Sequence, residues 1–201
     1  TWMKAPNGEP TKLTPKQWVQ VRTKAFKEWF GDWEKAARIE KLRASKPVEI
    51  TGDEYKGKYE MERESAKQWM KANLRGEYVI ADTGERIAVS GTGVDKVTSH
   101  SMGNEAHLKS LAVTLQLIEN AIFIDELPNE KGNGKYDSYR YYVLGLRMGS
   151  VDYTAKLVVG VKDGEAYYDH ALTEIEKNSL LESIDPINTG FANKEDAVSA
   201  V

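Results

Sequence analysis

The sequence contains no cysteine and only three histidines among 201 residues. Without cysteine there is no disulfide framework, no thiolate nucleophile and no zinc site built on sulfur. A metal site made of histidine alone would need His100, His107 and His170 together. The sequence also has no HExxH motif, no EF-hand loop and no GxSxG nucleophile motif. We therefore expect neither a metal nor another cofactor.

Long apolar runs and signal-like segments are missing as well. No run approaches the roughly 18 apolar residues that span a bilayer, so we expect no membrane association. With 40% hydrophobic and 29% charged residues, the composition excludes collagen-like and low-complexity chains and argues against wholesale disorder. These features predict a soluble, cytoplasmic, globular protein. The chain begins at Thr1 rather than Met, so we expect a piece of a longer protein.

Charge and aromatic residues are distributed unevenly. Residues 1–75 carry 17 Lys/Arg against 11 Asp/Glu and all five tryptophans, whereas residues 76–201 carry 11 against 20 and eight of the ten tyrosines. The contrast predicts a basic, Trp-rich helical segment over 1–75, an α+β domain over 76–177 and a tail over 178–201. A single domain whose helices happen to be basic is the alternative that stays open.

The first segment has clear helix signals. Thr14 can cap a helix, with Pro15 at its first position and Gln17 completing a capping box. Large aromatic residues follow at spacings of three and four, and this stripe is more typical of a helix–helix core than of a base-stacking platform. A break is expected at Gly31-Asp32, with Asp32 capping the next helix. A second amphipathic helix is predicted near residues 60–74.

The second segment is richer in β-strand signals. A hairpin is predicted at Thr83-Gly84, and Ser90-Gly91-Thr92-Gly93 is interpreted as a turn. A helix should begin at Ser101 or Asn104 and end near Asn120. Further strands are predicted over 121–127, 139–148, 151–161 and 166–169. A helix packed on this antiparallel meander, after the N-terminal helices, is an α+β arrangement.

The hairpin at Gly149-Ser150 fixes a strand register. With a two-residue turn, Met148 faces Val151 and Tyr142 faces Leu157, which places one apolar face under the helix that precedes the meander. The opposite face then carries Tyr139, Tyr141, Arg147, Asp152, Thr154 and Lys156, including an Arg147–Asp152 cross-strand pair.

This mixture of lysine, phenols and nearby histidines suits RNA cleavage, which needs a base, an acid and a cation for the phosphorane charge. An exposed lysine on a strand is also a common solubility device, and that interpretation stays open. His100 precedes the predicted helix, where an anion would be favoured. His107 is expected to be half-buried and structural. His170 follows a strand and falls on the packed side, unless a bulge reverses it.

Several longer stretches resemble the large polyvalent protein-associated domains, which occur in multidomain proteins of bacteriophages and conjugative elements, often of Bacteroidetes. The stretches are Val97–His100, Leu117–Phe123, Pro128–Gly132, Ser138–Tyr142, Asp152–Lys156 and Tyr167–Ile175. Two more, Trp2–Gly8 and Phe26–Trp33, resemble segments that precede effector domains in such proteins.

The resemblance implies kinship with the MuF C-terminal domains and with the barnase, EndoU, colicin D and RelE group of metal-independent ribonucleases, and hence an RNase-like fold. Carried over by position, the catalytic candidates are His100, Tyr141, Lys156, His170 and Thr173, with Arg140 as a phosphate clamp. Two features depart from that pattern. The register places Arg140 on the apolar face, and the acidic balance of residues 76–201 opposes binding to a polyanion.

Two functions therefore remain open. The first is a toxin-like effector of a mobile-element protein that cleaves or binds RNA without a metal. The second is a non-enzymatic module that binds a host or phage protein. Delivery into a host cell as part of a larger protein is left open with the first.

Overall fold

The computed structural model of the protein describes residues 3–6, 8–100, 104–130, 135–168 and 174–176, with His100 described through its backbone only. His170, Thr173 and the predicted tail over 178–201 lie outside the described residues. The fold class is α+β, as predicted. Two compact units divide the described chain, residues 3–45 and residues 46–176. The functional division at residue 75 stays a prediction.

The described part of the N-terminal unit contains three helices: α1 Pro15–Gln20, α2 Lys24–Phe30 and α3 Trp33–Ala44. The predicted capping box is present, since the Thr14 hydroxyl accepts from the Gln17 amide and the Gln17 side chain accepts from the Thr14 amide. The predicted break also lies where expected. Asp32 caps α3 by accepting a hydrogen bond from the Lys35 amide at 3.1 Å.

The aromatic stripe of this unit is buried only in part. Trp18 is buried, and its ring meets that of Trp33 edge-on at 6.1 Å. Trp29 and Phe30, in contrast, are 84% and 75% exposed. The prediction that the stripe forms a helix–helix core is therefore wrong for these two residues. The helix α2, on which both lie, ends at Gly31 and has no buried residue.

Within its described residues, the second unit combines four α-helices with eight strands. The helices are α4 Arg63–Asn73, α5 Gly91–His100, α6 Glu105–Ser110 and α7 Thr114–Asn120, and a 3₁₀ turn over Leu111–Val113 joins the last two. The strands are β1 Val48–Ile50, β2 Gly76–Ile80, β3 Glu85–Val89, β4 Ile122–Pro128, β5 Ser138–Met148, β6 Val151–Lys162, β7 Glu165–Tyr168 and β8 Glu174–Glu176.

These strands form one mixed sheet with the order β1-β5-β6-β7-β3-β2, in which β4 also pairs with β5 and β8 with β6. The predicted antiparallel meander is confirmed for β4 through β7. The parallel pairs β1–β5 and β3–β7 were not predicted. The first pair was missed because β1 has only three residues and is too short to carry a sequence signal. The second was missed because β3 pairs with a strand that comes some 80 residues later in the chain.

The predicted register of the main hairpin is confirmed, with Met148 opposite Val151 and Tyr142 opposite Leu157. Side chains of β5 and β6 on the predicted apolar face are buried together with α4, α5, α7 and the 3₁₀ turn. Burial of this shared core is the main stabilising contribution of the unit. Because side chains alternate along a strand, the polar and aromatic side chains between the buried ones lie on the opposite face of β5 and β6.

Two predictions about the helices are wrong. Ser90-Gly91-Thr92-Gly93 is not a turn, since α5 begins at Gly91, and a Cβ on Gly93 would lie only 1.9 Å from the Tyr168 carbonyl oxygen. Gly93 thus allows α5 to pack closely on the end of β7. His100 is the last residue of α5, and the helix predicted after it begins at Glu105 with Asn104 as its N-cap, one of the two predicted starting points.

The helix predicted to reach Asn120 without interruption is broken instead. It begins after Asn104, whose side chain accepts from the His107 amide at 3.0 Å. The interruption lies between Ser110 and Thr114, whose hydroxyls donate to the carbonyls of His107 and Leu111 at 2.7 and 2.8 Å. Such side-chain hydrogen bonds compete with the regular helical pattern.

Candidate functional site

Five side chains define what we call the tyrosine face of the sheet: Tyr136, Tyr139, Tyr141, Lys156 and Tyr167. Tyr139 is opposite Gly160, which in turn is opposite Tyr167. Tyr141 and Lys156 lie further along the same two strands, on the side of the sheet that Tyr142 does not occupy. Apart from Tyr136, which is buried, these side chains are half-buried. The face therefore brings phenols and an ammonium group together on one rigid support.

Lys156 and Tyr141 lie next to each other on this face. The Lys156 ammonium lies 5.9 Å from the centre of the Tyr141 ring, within the range of a cation–π interaction. Burial raises the pKa of the Tyr141 phenol, and the nearby Tyr139 and Asp125 raise it further. The phenol therefore stays protonated at neutral pH, and it can donate a hydrogen bond but cannot readily act as a base.

Three further tyrosines extend the face towards the start of β5. The Tyr136 ring lies 5.6 Å from that of Tyr139 and 6.5 Å from that of Tyr167. Gly160 makes room for it, because a Cβ there would lie 2.7 Å from the Tyr136 ring carbons. Burial raises the pKa of Tyr136 to about 12. The result is a cluster of three aromatic rings, of which the Tyr136 ring is buried.

Arg140 lies on the other side of β5, as the register predicts. Its guanidinium forms ion pairs with Glu85 of β3 and with Glu126 of β4, the second at 2.9 Å. The Tyr142 hydroxyl donates to Glu85, and the Ser138 hydroxyl donates to Glu126. A phosphate at Arg140 would have to compete with two carboxylates. The role of Arg140 as a phosphate clamp stays a prediction.

The other predicted residues are placed as follows. His100 is the last residue of α5, while His170 and Thr173 lie outside the described residues. His107 is 4% exposed, so it is buried and not half-buried as expected; its structural role stays a prediction. Within the described ranges, no three His, Asp or Glu residues are arranged to hold a metal ion. Of the predicted set, the structure thus brings together Tyr141 and Lys156.

Asp125 and Tyr136 belong to this region, although sequence reasoning did not select them. Asp125 is opposite Tyr141 only because the pairing of β4 and β5 shifts at a bulge between Phe123 and Asp125. An irregularity of this kind has no reliable sequence signal. Tyr136 lies before the first residue of β5, and strand alternation places residues three apart on opposite faces, so the sequence offered no signal that Tyr136 joins Tyr139.

Comparisons with known proteins identify the family. Residues 57–168 match the model of the Large polyvalent protein-associated domain 3 family, which covers α4 and the sheet from β2 to β7. A search of curated proteins and a search of solved structures each found no match. Among the described residues, no helix is both long and apolar enough to cross a membrane. On the strength of the match over more than half of its length, the chain belongs to the Large polyvalent protein-associated domain 3 family.

Proposed function

We propose that this chain is an RNA-directed effector module that binds single-stranded RNA on the tyrosine face and cleaves it without a metal. The observation that carries the proposal is the Lys156 ammonium held over the Tyr141 ring. A cation can stabilise the charge that develops on the phosphorane, and aromatic rings beside it can stack bases of any sequence.

The proposed reaction is transfer within the RNA itself. The 2′-oxygen attacks the adjacent phosphorus, the bond from phosphorus to the 5′-oxygen breaks, and a 2′,3′-cyclic phosphate forms. Lys156 stabilises the negative charge on the phosphorane, and the protonated Tyr141 donates a hydrogen bond to a phosphate oxygen. One histidine accepts the 2′ proton and another supplies the proton to the 5′-oxygen, and His100 and His170 are the candidates for these two roles.

The two segments of the chain differ in net charge, and they therefore contribute differently to RNA binding. The acidic balance of residues 76–201 disfavours a polyanion, while residues 1–75 carry an excess of six positive charges. We infer that the basic segment supplies general affinity for the RNA backbone and the tyrosine face supplies local contacts. RNA affinity should therefore fall steeply with salt even though the net charge of the chain is −3.

Photochemical cross-linking tests where RNA binds. An oligoribonucleotide bearing a photoreactive uridine is irradiated with the full chain, and the linked peptides are identified by mass spectrometry. The proposal predicts cross-links within β5 and β6, at Tyr139 or Tyr141. Cross-links that map only to other parts of the chain would refute the assignment of RNA to the tyrosine face.

A second candidate function is a protein-binding module, favoured by the exposed aromatic residues of the N-terminal unit. Trp29 and Phe30 are 84% and 75% exposed, and Phe30 also lines a cavity of about 250 Å³ together with Trp33 and Ile39. The indole nitrogen of Trp33 is buried without an acceptor among the described residues. Exposed aromatic residues beside a cavity are typical anchors of a protein interface.

The two candidate functions can be distinguished with one double variant. Replacing Trp29 and Phe30 with serine should abolish binding to a protein partner and leave RNA cleavage intact. If the double variant loses RNA cleavage while its circular dichroism is unchanged, the aromatic residues serve RNA, and the protein-binding hypothesis loses its support.

A further inference from the structure

Four cationic side chains follow the line along which α4 packs beside α5. They occupy every fourth position, and we call them the basic row: Arg63, Lys67, Lys71 and Arg75. The first three belong to α4, and Arg75 follows the C-cap of that helix, Leu74. A step of four residues advances about 6 Å along an α-helix and stays near one side of it. The row is therefore a regular line of three cations with a fourth at its end.

The centre of the row has more positive than negative charge. Lys67 and Lys71 share one carboxylate, that of Asp95 on α5, with ammonium–oxygen distances of 3.1 and 2.7 Å. Hydrogen bonds from Lys71 and then Lys67 lower the pKa of Asp95, so this carboxylate stays ionised at neutral pH. The three side chains are between 33% and 41% exposed. Each ammonium has three N–H donors and can therefore donate to a second anion from the solvent side.

The two arginines at the ends of the row pair with no carboxylate among the described residues. Arg63 donates from Nε to the Thr98 carbonyl in the last turn of α5 at 3.0 Å, which leaves its four terminal N–H groups. Arg75 Nε lies 3.9 Å from the position of a Cβ added to Gly91, the first residue of α5. Both arginines are exposed. The row thus carries four positive charges and pairs with one negative charge along the length of α5.

These features suit a nucleic acid better than a protein or a lipid surface. Successive phosphates of one strand form a line of single charges, and a line of exposed cations neutralises them with release of counterions. A protein interface or a membrane would also need apolar or aromatic anchors. In α4, and in α5 as far as its side chains are described, no large apolar side chain is exposed. The surface along the row therefore offers charge without such anchors.

We propose that the basic row holds the phosphate backbone of RNA. The inference rests on the proposed RNA function, and it names residues of the basic segment that supply the general affinity. Residues of α4 and α5 share the buried core with the apolar face of β5 and β6, so the row does not lie on the tyrosine face. The two surfaces therefore contact different nucleotides, and each can be disrupted without the other.

Binding of a 2′-O-methyl oligouridine to the full chain tests the row, because this RNA cannot be cleaved by attack of a 2′-oxygen. Lys67→Met and Lys71→Met should each weaken binding about fivefold and reduce the slope of log K against log salt by about 0.7. Asp95→Asn should strengthen binding about threefold, since it removes the carboxylate that competes with phosphate. Purely structural ion pairs would give no such gain. Lys56→Met is the matched control and should leave binding unchanged, because Lys56 is exposed and pairs with Asp53 at 2.9 Å in the same unit.

The possible results separate this inference from the proposed function. Binding that the lysine variants of the row leave intact, or that Lys56→Met weakens equally, overturns the row and leaves the tyrosine face to be judged by its cross-links. Binding that depends on the row, without cross-links in β5 and β6, supports the row and overturns the tyrosine face. An equal, row-dependent affinity for polyglutamate of the same charge overturns RNA as the occupant in favour of an acidic protein. A folded chain that binds no RNA overturns both proposals.

Discussion

The ammonium of Lys156 and the ring of Tyr141 lie 5.9 Å apart on neighbouring strands of one hairpin. Strand pairing fixes both backbones, since Tyr141 is opposite Val158 and Lys156 is opposite Val143. A diagonal neighbour relationship of this kind is within reach of long and aromatic side chains. The cation and the phenol are consequently held on regular secondary structure, which suits a site that must keep its geometry.

Replacing Lys156 by Met should reduce RNA cleavage about 100-fold, because the charge on the phosphorane loses its counter-ion. Tyr141→Phe keeps the ring and removes the hydroxyl, so we expect a smaller loss of about tenfold. Cleavage rates on a labelled RNA under single-turnover conditions measure both effects. Lys56→Met, which removes an equal charge elsewhere in the unit, should leave the rate unchanged. Equal losses in all three variants would mean that overall charge is responsible and the assigned site is wrong.

Two glycines of the first turn of α5 should respond differently to alanine. Gly93→Ala should destabilise the protein by about 1–3 kcal/mol or more, since the added Cβ would meet the Tyr168 carbonyl oxygen at 1.9 Å. At Gly91 the nearest atom to an added Cβ is Arg75 Nε at 3.9 Å. Gly91→Ala should therefore be neutral or stabilise by up to about 1 kcal/mol. Urea unfolding of both variants measures the difference, and similar stability for the two would contradict the described packing of α5 on β7.

The same contact explains why sequence reasoning missed α5. Gly91 and Gly93 lower helix propensity, and with Ser90 and Thr92 they form a cluster that is typical of a turn. Position 93 requires glycine because it packs against Tyr168 at the end of β7, more than 70 residues later in the chain. A tertiary demand of this kind has no local signature. By contrast, the register of β5 and β6 depends on a two-residue turn at Gly149, where φ is 60°, and such a turn could be recognised from the sequence.

Arg140→Gln should destabilise the protein in the absence of any RNA, by about 2 kcal/mol. The substitution leaves Glu85 and Glu126 without the guanidinium that joins β3, β4 and β5. Arg147→Gln is the control from the same strand, since Arg147 is more exposed and pairs with Asp152 at 2.6 Å. Its effect should be smaller. Thermal unfolding compares the two, and unchanged stability of Arg140→Gln would favour a phosphate clamp over a structural role.

Stability should fall at alkaline pH because of buried tyrosines. Burial raises the pKa of Tyr136 and of Tyr142 from 10.0 to about 12. The unfolded chain loses these protons first, so the stabilisation is complete below about pH 10 and is lost as pH rises towards 12. Each group contributes about 2–3 kcal/mol over this interval. Tyr136→Phe should flatten the dependence, and the free energy of unfolding measured across the interval checks it. A dependence identical to that of the original protein would contradict the burial of Tyr136.

The candidate site was predictable only where it depends on local strand order. Tyr141 and Lys156 follow from the alternation of β5 and β6, which the sequence displays. The pairing of Arg140 with Glu85 could not be foreseen, because Glu85 lies on β3, which β6 and β7 separate from β5 in the order of the sheet.

Incubation of the purified chain with total RNA and several transfer RNAs in EDTA, followed by a denaturing gel, tests the central claim most directly. The proposed function predicts discrete fragments that end in 2′,3′-cyclic phosphates, and their disappearance with Lys156→Met but not with Lys56→Met. Intact RNA at high protein concentration, with the chain folded, would contradict a metal-independent ribonuclease and favour the protein-binding module.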